Sequence, residues 1–184
     1  MSATSNPYGF APTKHPSGQT HARLYTIATG YATAIYKGQP VILNTNGTIT
    51  AGTAAADILG VFAGCEYVDA NGKPTVSNNW PASQTATNIK AYVWDDPLTE
   101  YSVQADGSVA QTAIGDQCDV SNATANGNGM SQATATSALA GAGSQGQFRI
   151  IAIDPAIDNA VGDAYTKIIV AIARHQYVAV KVGI

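Results

Sequence analysis

Three groups of side chains in this sequence could do chemistry. Asp95-Asp96, directly after Ala91-Tyr92-Val93-Trp94, could supply the paired carboxylates of a general acid and base. Asp154, Asp158 and Asp163 could ligate calcium from one loop, and His15 with His21 could hold a transition metal. Each group has a plainer reading. Successive strand residues point to opposite faces and Pro97 follows at once, so Asp95-Asp96 reads as a strand running into a turn. The three later aspartates lack the alternating oxygens and closing bidentate Glu of a calcium loop, and so read as solvated turn residues. His15 and His21 have no third ligand in spacing. His175, after Arg174 at the end of an apolar run, reads as a cap at a sheet rim. No Gly-rich phosphate loop, G-x-S-x-G elbow or H-E-x-x-H pattern occurs. The expectation is a protein with no catalytic residue, no metal and no cofactor.

The elements that would position these side chains are short strands separated by turn signals, and they predict an all-β fold: an antiparallel sandwich or small barrel of hairpin-linked strands. Val41–Thr45 and Thr48–Thr50 meet at Asn46-Gly47, read as a tight turn with both central residues at positive φ. Asn71-Gly72 repeats the device between Gly60–Val68 and Thr75-Val76, and Asp106-Gly107 repeats it after Glu100–Gln104. Further strands are predicted at Arg23–Ile27, Ala32–Tyr36, Ile89–Trp94, Phe148–Ile153 and Thr166–Ala173, the last buried on both faces. Ser108 to Gln111, with Gly115 beyond, has capping-box spacing for one or two helical turns. From Val120 to Phe148 no residue is charged and the only large apolars are Met130, Leu139 and Phe148, which predicts a long ordered loop or weak hairpin held by its neighbours.

Composition favours assembly over nucleic-acid binding. At 184 residues the chain suits one domain, able to bury roughly 70% of its unfolded surface. Charged residues make up only 11%, against about 25% in an ordinary soluble protein, so much of the surface is neutral and cheap to desolvate. A net charge of −3 and nine scattered Lys plus Arg speak against phosphate-backbone binding. Cys65 and Cys118 lie in apolar, strand-like surroundings without a C-x-x-C motif and read as reduced core residues; a disulfide between them is not signalled. No apolar run approaches the roughly 20 residues that cross a bilayer and no secretory leader is read, so the chain is expected in the cytoplasm or in an assembly made there.

The two ends are read as contact elements. Residues 1–22 form an extended arm, because Pro7, Pro12 and Pro16 exclude a helix, and residues 23–184 form the β domain. Tyr8 and Phe10 would anchor the arm on a surface outside its own domain, together with Asn6, Pro7, Pro12, Lys14 and His15; the competing reading is a frayed terminus. On either reading, removal of residues 2–20 leaves the β body folded. At the other end Val178, Val180, Val182 and Ile184 alternate with smaller or polar residues, a strand expected to pair with its own sheet or with a neighbouring subunit.

Several segments together resemble the capsid cement, or decoration, proteins of tailed bacteriophages: the arm with Arg23 to Tyr31, Ile35 to Val41, Ile58 to Cys65, Trp80-Pro81-Ala82, Ala91 to Pro97, Val103 to Asp116, and Asp158 to Tyr177. The resemblance rests on order and spacing and carries no chemical motif. It implies a β-rich body, often a homotrimer, bound outside a shell of major capsid protein and bridging its subunits in the virion, with no nucleic-acid, membrane or small-molecule partner. The alternative is a carbohydrate-binding or adhesive β-sandwich module on a virion surface, with Tyr25, Tyr31, Tyr36, Trp80 and Trp94 as stacking faces. A glycan hydrolase would require a carboxylate pair that cannot be placed.

Overall fold

The computed structural model describes residues 4–54, 56–121, 129–141 and 143–178. Its strands are β1 (Ala11–Lys14), β2 (Arg23–Tyr25), β3 (Ile35–Tyr36), β4 (Pro40–Leu43), β5 (Ile49–Ala51), β6 (Gly60–Asp69), β7 (Pro74–Ser77), β8 (Asn79–Trp80), β9 (Ala86–Trp94), β10 (Glu100–Gln104), β11 (Gln117–Cys118), β12 (Phe148–Ile153) and β13 (Lys167–Ile172). The predicted all-β antiparallel sandwich is what forms. One sheet has the order β1-β10-β13-β12-β11, and the other has β2-β9-β6-β4-β5 with β7 also on β6; β3 and β8 pair separately.

Period-two alternation sorts the side chains. In the first sheet Tyr101, Val103, Ile150, Ile168, Val170 and Phe148 turn inward and are fully buried. They share one core with Val61 and Ile58 from the opposite side, and a second cluster gathers Phe62, Trp80, Leu59, Val93 and Ile35. β13 alternates buried and half-buried positions, so only one face is fully covered, contrary to the expectation of two. The reason is its antiparallel setting in an outer layer, where only the inward face meets core. The stretch after β13 laces the sheets together. Arg174 Nη2 lies 2.6 Å from Asp57 Oδ1, and the Gln176 amide exchanges two hydrogen bonds with the Leu43 backbone at 2.7 and 3.0 Å.

Two of the three turn signals make hairpins, by a geometry other than the expected one. Gly47 N–H donates to Asn44 O at 3.0 Å and Gly72 N–H to Asp69 O at 3.0 Å, with φ of 79° and 77° at the two glycines. Neither Asn46 nor Asn71 takes positive φ. Closure at Asn44–Thr48 and Asp69–Lys73 leaves three loop residues, which call for a type I turn followed by one left-handed residue. Asp106-Gly107 forms no hairpin. Asp106 N–H bonds Ala135 O at 2.9 Å, and its carboxylate holds Ser121 Oγ at 2.6 Å and Ser137 N–H at 2.7 Å. The helical signal before Gly115 yields only a 3-10 turn at Gln111–Ala113.

The charge-free segment is an ordered connector where it is described. Ala133 and Ala135 are fully buried, and Ala135 bridges both Ala105 and Val120. Buried Gln147 accepts from Val120 N–H at 2.9 Å and donates to the carbonyls of Thr53 and Ala56 at 2.8 and 2.7 Å. Small side chains let the backbones approach, and neutral amides satisfy them without ions to desolvate. Cys65 and Cys118 are free and buried, as expected, and burial pushes both thiols up to about 12. Val180, Val182 and Ile184 lie outside the described residues; Val178 is 43% exposed.

Candidate interaction surface

The N-terminal arm is extended, but it belongs to its own domain. β1 is the outermost strand of the first sheet, with Ala11 opposite Ser102 and Pro12 opposite Tyr101. An edge strand needs hydrogen bonds on one side only, which is why Pro12 is tolerated there. Phe10 is fully buried and stacks on Phe148, with ring centroids 4.5 Å apart and planes inclined by 25°. Gly9 makes this entry possible: φ is 78°, and a Cβ there would lie 2.7 Å from Gly38 O. Phe10 N–H donates to that same carbonyl at 2.8 Å.

Further contacts fasten the rest of the arm. Tyr8 Oη lies 2.7 Å from Ser102 Oγ, which donates to Asp154 Oδ2 at 2.5 Å. Asn6 N–H donates to Gln104 Oε1 at 2.8 Å. His15 Nε2 sits 3.2 Å from Asp96 Oδ1. The assignment of Phe10 as an outside anchor is therefore corrected, and Pro7, Tyr8, Pro12 and His15 are half-buried against their own body. Removing residues 2–20 would strip an edge strand and a core ring, so the β body would not stay intact. Of the predicted contact residues, Asn6 and Lys14 are exposed, and an exposed run continues from Pro16 to Leu24.

The candidate chemical groups are used structurally. Asp95 is 3% exposed and accepts from Tyr25 Oη at 2.5 Å, with Arg23 Nε 3.5 Å away. Burial, then the Asp95 carboxylate, pushes the Tyr25 hydroxyl upward. Asp96 turns the other way, accepting Leu98 N–H at 2.9 Å, so the adjacent carboxylates diverge as strand geometry requires. Asp154 Oδ1 accepts Ala156 N–H, Asp158 pairs with Lys167 Nζ at 2.7 Å, and Asp163 accepts Ala160 N–H. Among the described residues no group of three His, Cys, Asp or Glu could hold a metal ion, and no helix is long and apolar enough to cross a membrane.

His175 is the rim residue expected, with both ring nitrogens engaged. Tyr177 N–H donates to Nδ1 at 3.1 Å, which leaves Nε2 carrying the proton toward Asp95 O at 2.9 Å. Burial lowers its pKa, with Asp95 and Asp96 opposing that shift. The unfolded chain then binds a proton near pH 6.5 that the folded chain refuses, so stability is full above that pH and falls as pH drops toward the folded value. The slope can reach at most about 1.4 kcal/mol per pH unit. Urea unfolding at pH 7.5 and 5.5 should show this loss in the native chain and a flatter dependence in His175→Asn. Equal slopes would contradict the burial-lowered pKa of His175.

The surface feature that sequence reading missed is a cleft of about 640 Å³ between the arm and the β6–β7 hairpin, lined by Tyr8, Pro12, Lys37, Val76, Trp94 and Met130. Lys37 Nζ stands 5.9 Å from the Trp94 ring centroid. Val76 is 83% exposed and Met130 51%. The available signal was Val76, a lone apolar residue in the polar run Thr75 to Asn79. Of the aromatics read as possible sugar-stacking faces, Trp80 is fully buried with Tyr67 edge-on at 5.2 Å, Lys37 Nζ stands over one face of Trp94, and Tyr25, Tyr31 and Tyr36 are half-buried. Against known proteins, no family model, no curated protein and no solved structure matches this chain.

Proposed function

We propose that this protein is a structural virion protein that binds the outside of an icosahedral phage capsid and stabilises the shell by bridging major capsid protein subunits. The observation that supports this reading is a set of large apolar side chains held outward on a charge-poor β body. Ile157 is fully exposed (106%), Val76 is 83% exposed, Leu98 59% and Leu24 57%. Covering these side chains with a partner would remove apolar surface from water, at about 25 cal/mol per Å². The contact then comes from the β body and the exposed 16–24 stretch, with the arm fixing that edge in place. A homotrimer would engage several capsid sites at once and gain through effective concentration.

The test is co-sedimentation of the purified chain with phage-sized shells at fixed salt. Ile157→Glu and Val76→Glu leave the core untouched, and at least one should lower occupancy tenfold or more if its side chain is a contact centre. Native protein that stays in the supernatant at every concentration would refute the capsid reading.

A further inference from the structure

Among the described residues, two side-chain donors of the first sheet have no protein acceptor. Arg149 on β12 faces Gln117 of β11 in register. Arg149 Nε and Gln117 Nε2 are both buried without a hydrogen-bond partner. Gln117 is 3% exposed, and its Oε1 is already used by Gly146 N–H at 2.8 Å. Among the described residues Arg149 makes no ion pair. The nearest acid by register, Glu100, lies across Ala171 on β10, about 9–10 Å off at two strand spacings. A buried donor without a protein acceptor is rare in native structures and costs stability, and of these two it is the Arg149 side chain that borders a groove from which a carboxylate could approach.

Arg149 also lines a groove of about 380 Å³ whose other walls include Leu98, Ile151, Ala171, Ala173 and Val178. Leu98 is 59% exposed and Ile151 38%. An apolar trough with one unpaired guanidinium selects an apolar segment bearing a carboxylate, since the planar fork of arginine matches a carboxylate two bonds at a time. We infer that this groove docks an extended segment of the capsid subunit that presents an Asp or Glu carboxylate to Arg149 between apolar side chains. The identity of that partner rests on the proposed function; the chemistry of the groove does not.

The experiment separates the two. Full-length protein labelled at arginine side chains is titrated with acetyl-Leu-Asp-Leu amide and, separately, with acetyl-Leu-Asn-Leu amide. The acidic peptide should shift the Arg149 Nε signal saturably and bind at least tenfold more tightly than its amide twin. Arg149→Gln should abolish the preference, and Arg149→Lys should retain only part of it. No saturation by about 10 mM, an affinity weaker than about −2.7 kcal/mol, or equal binding of both peptides, would overturn the site. On shells, Arg149→Gln should lose at least tenfold in occupancy, and occupancy equal to native would overturn the site while leaving capsid binding intact. If native protein bound the peptide but no shell, the capsid source would fall and the carboxylate groove would stand.

Discussion

Phe10→Ala will destabilise the protein by about 3–5 kcal/mol, the range for truncating a buried aromatic ring. Phe10 is fully buried, its ring lies 4.5 Å from that of Phe148, and the neighbouring β1 can close over the core only while that ring fills it. Deleting residues 2–14 will cost more, because it also removes the pairing of β1 with β10. Urea unfolding followed by tryptophan fluorescence measures both, since Trp94 lies on β9 of the second sheet and Trp80 in the second core cluster. Tyr8→Phe, which removes only the contact to Ser102, should cost about 1 kcal/mol. If Phe10→Ala unfolded at the same urea concentration as the native chain, the arm would not be part of the core.

The second large effect is expected at Gly60, the first residue of β6. A Cβ there would stand 2.4 Å from Trp94 O and 2.8 Å from Asp95 Cα, both backbone atoms of the adjoining chain. Neither can swing aside as a side-chain tip could. Gly60→Ala should therefore cost about 3 kcal/mol, the upper end of the usual overpacking range. It should also loosen the pairing of Val61 with Trp94, seen as faster amide exchange at Val61. A loss under about 1 kcal/mol would mean that the two strands have room to part.

The readable parts of this fold were those where local chemistry and tertiary setting agree. β4 to β5 and β6 to β7 declared themselves because alternating apolars flank an Asn-Gly pair. The loop length, and with it the turn type, depended on which residues close the ladder, which composition does not encode. Asp106-Gly107 carried the same signal and failed, because Asp106 is drawn to Ser121 and Ser137 in the charge-free segment. β1 was invisible for the opposite reason. Three prolines argue against structure locally, and the partner that makes Phe10 a core residue stands at position 148. The turn reading of Asp95-Asp96 rested on strand geometry, and the two carboxylates do diverge; of the later aspartates only Asp158 is solvated, since Asp154 and Asp163 are half-buried and take hydrogen bonds that a count of ligands does not show. The Arg149 groove could not be read in advance, since an unpaired donor is a property of its neighbours and not of its own residue type.

The most direct measurement of the central claim is the temperature at which packaged DNA escapes from phage particles that carry the protein, particles that lack it, and particles to which purified protein has been restored. A cement acts by adding interface between thin shell subunits, so particles without it should release DNA at a lower temperature and regain the native value on add-back at saturating occupancy. Restoration with Ile157→Glu or Arg149→Gln should remain incomplete at equal protein concentration. Identical release temperatures for all three preparations would contradict the account.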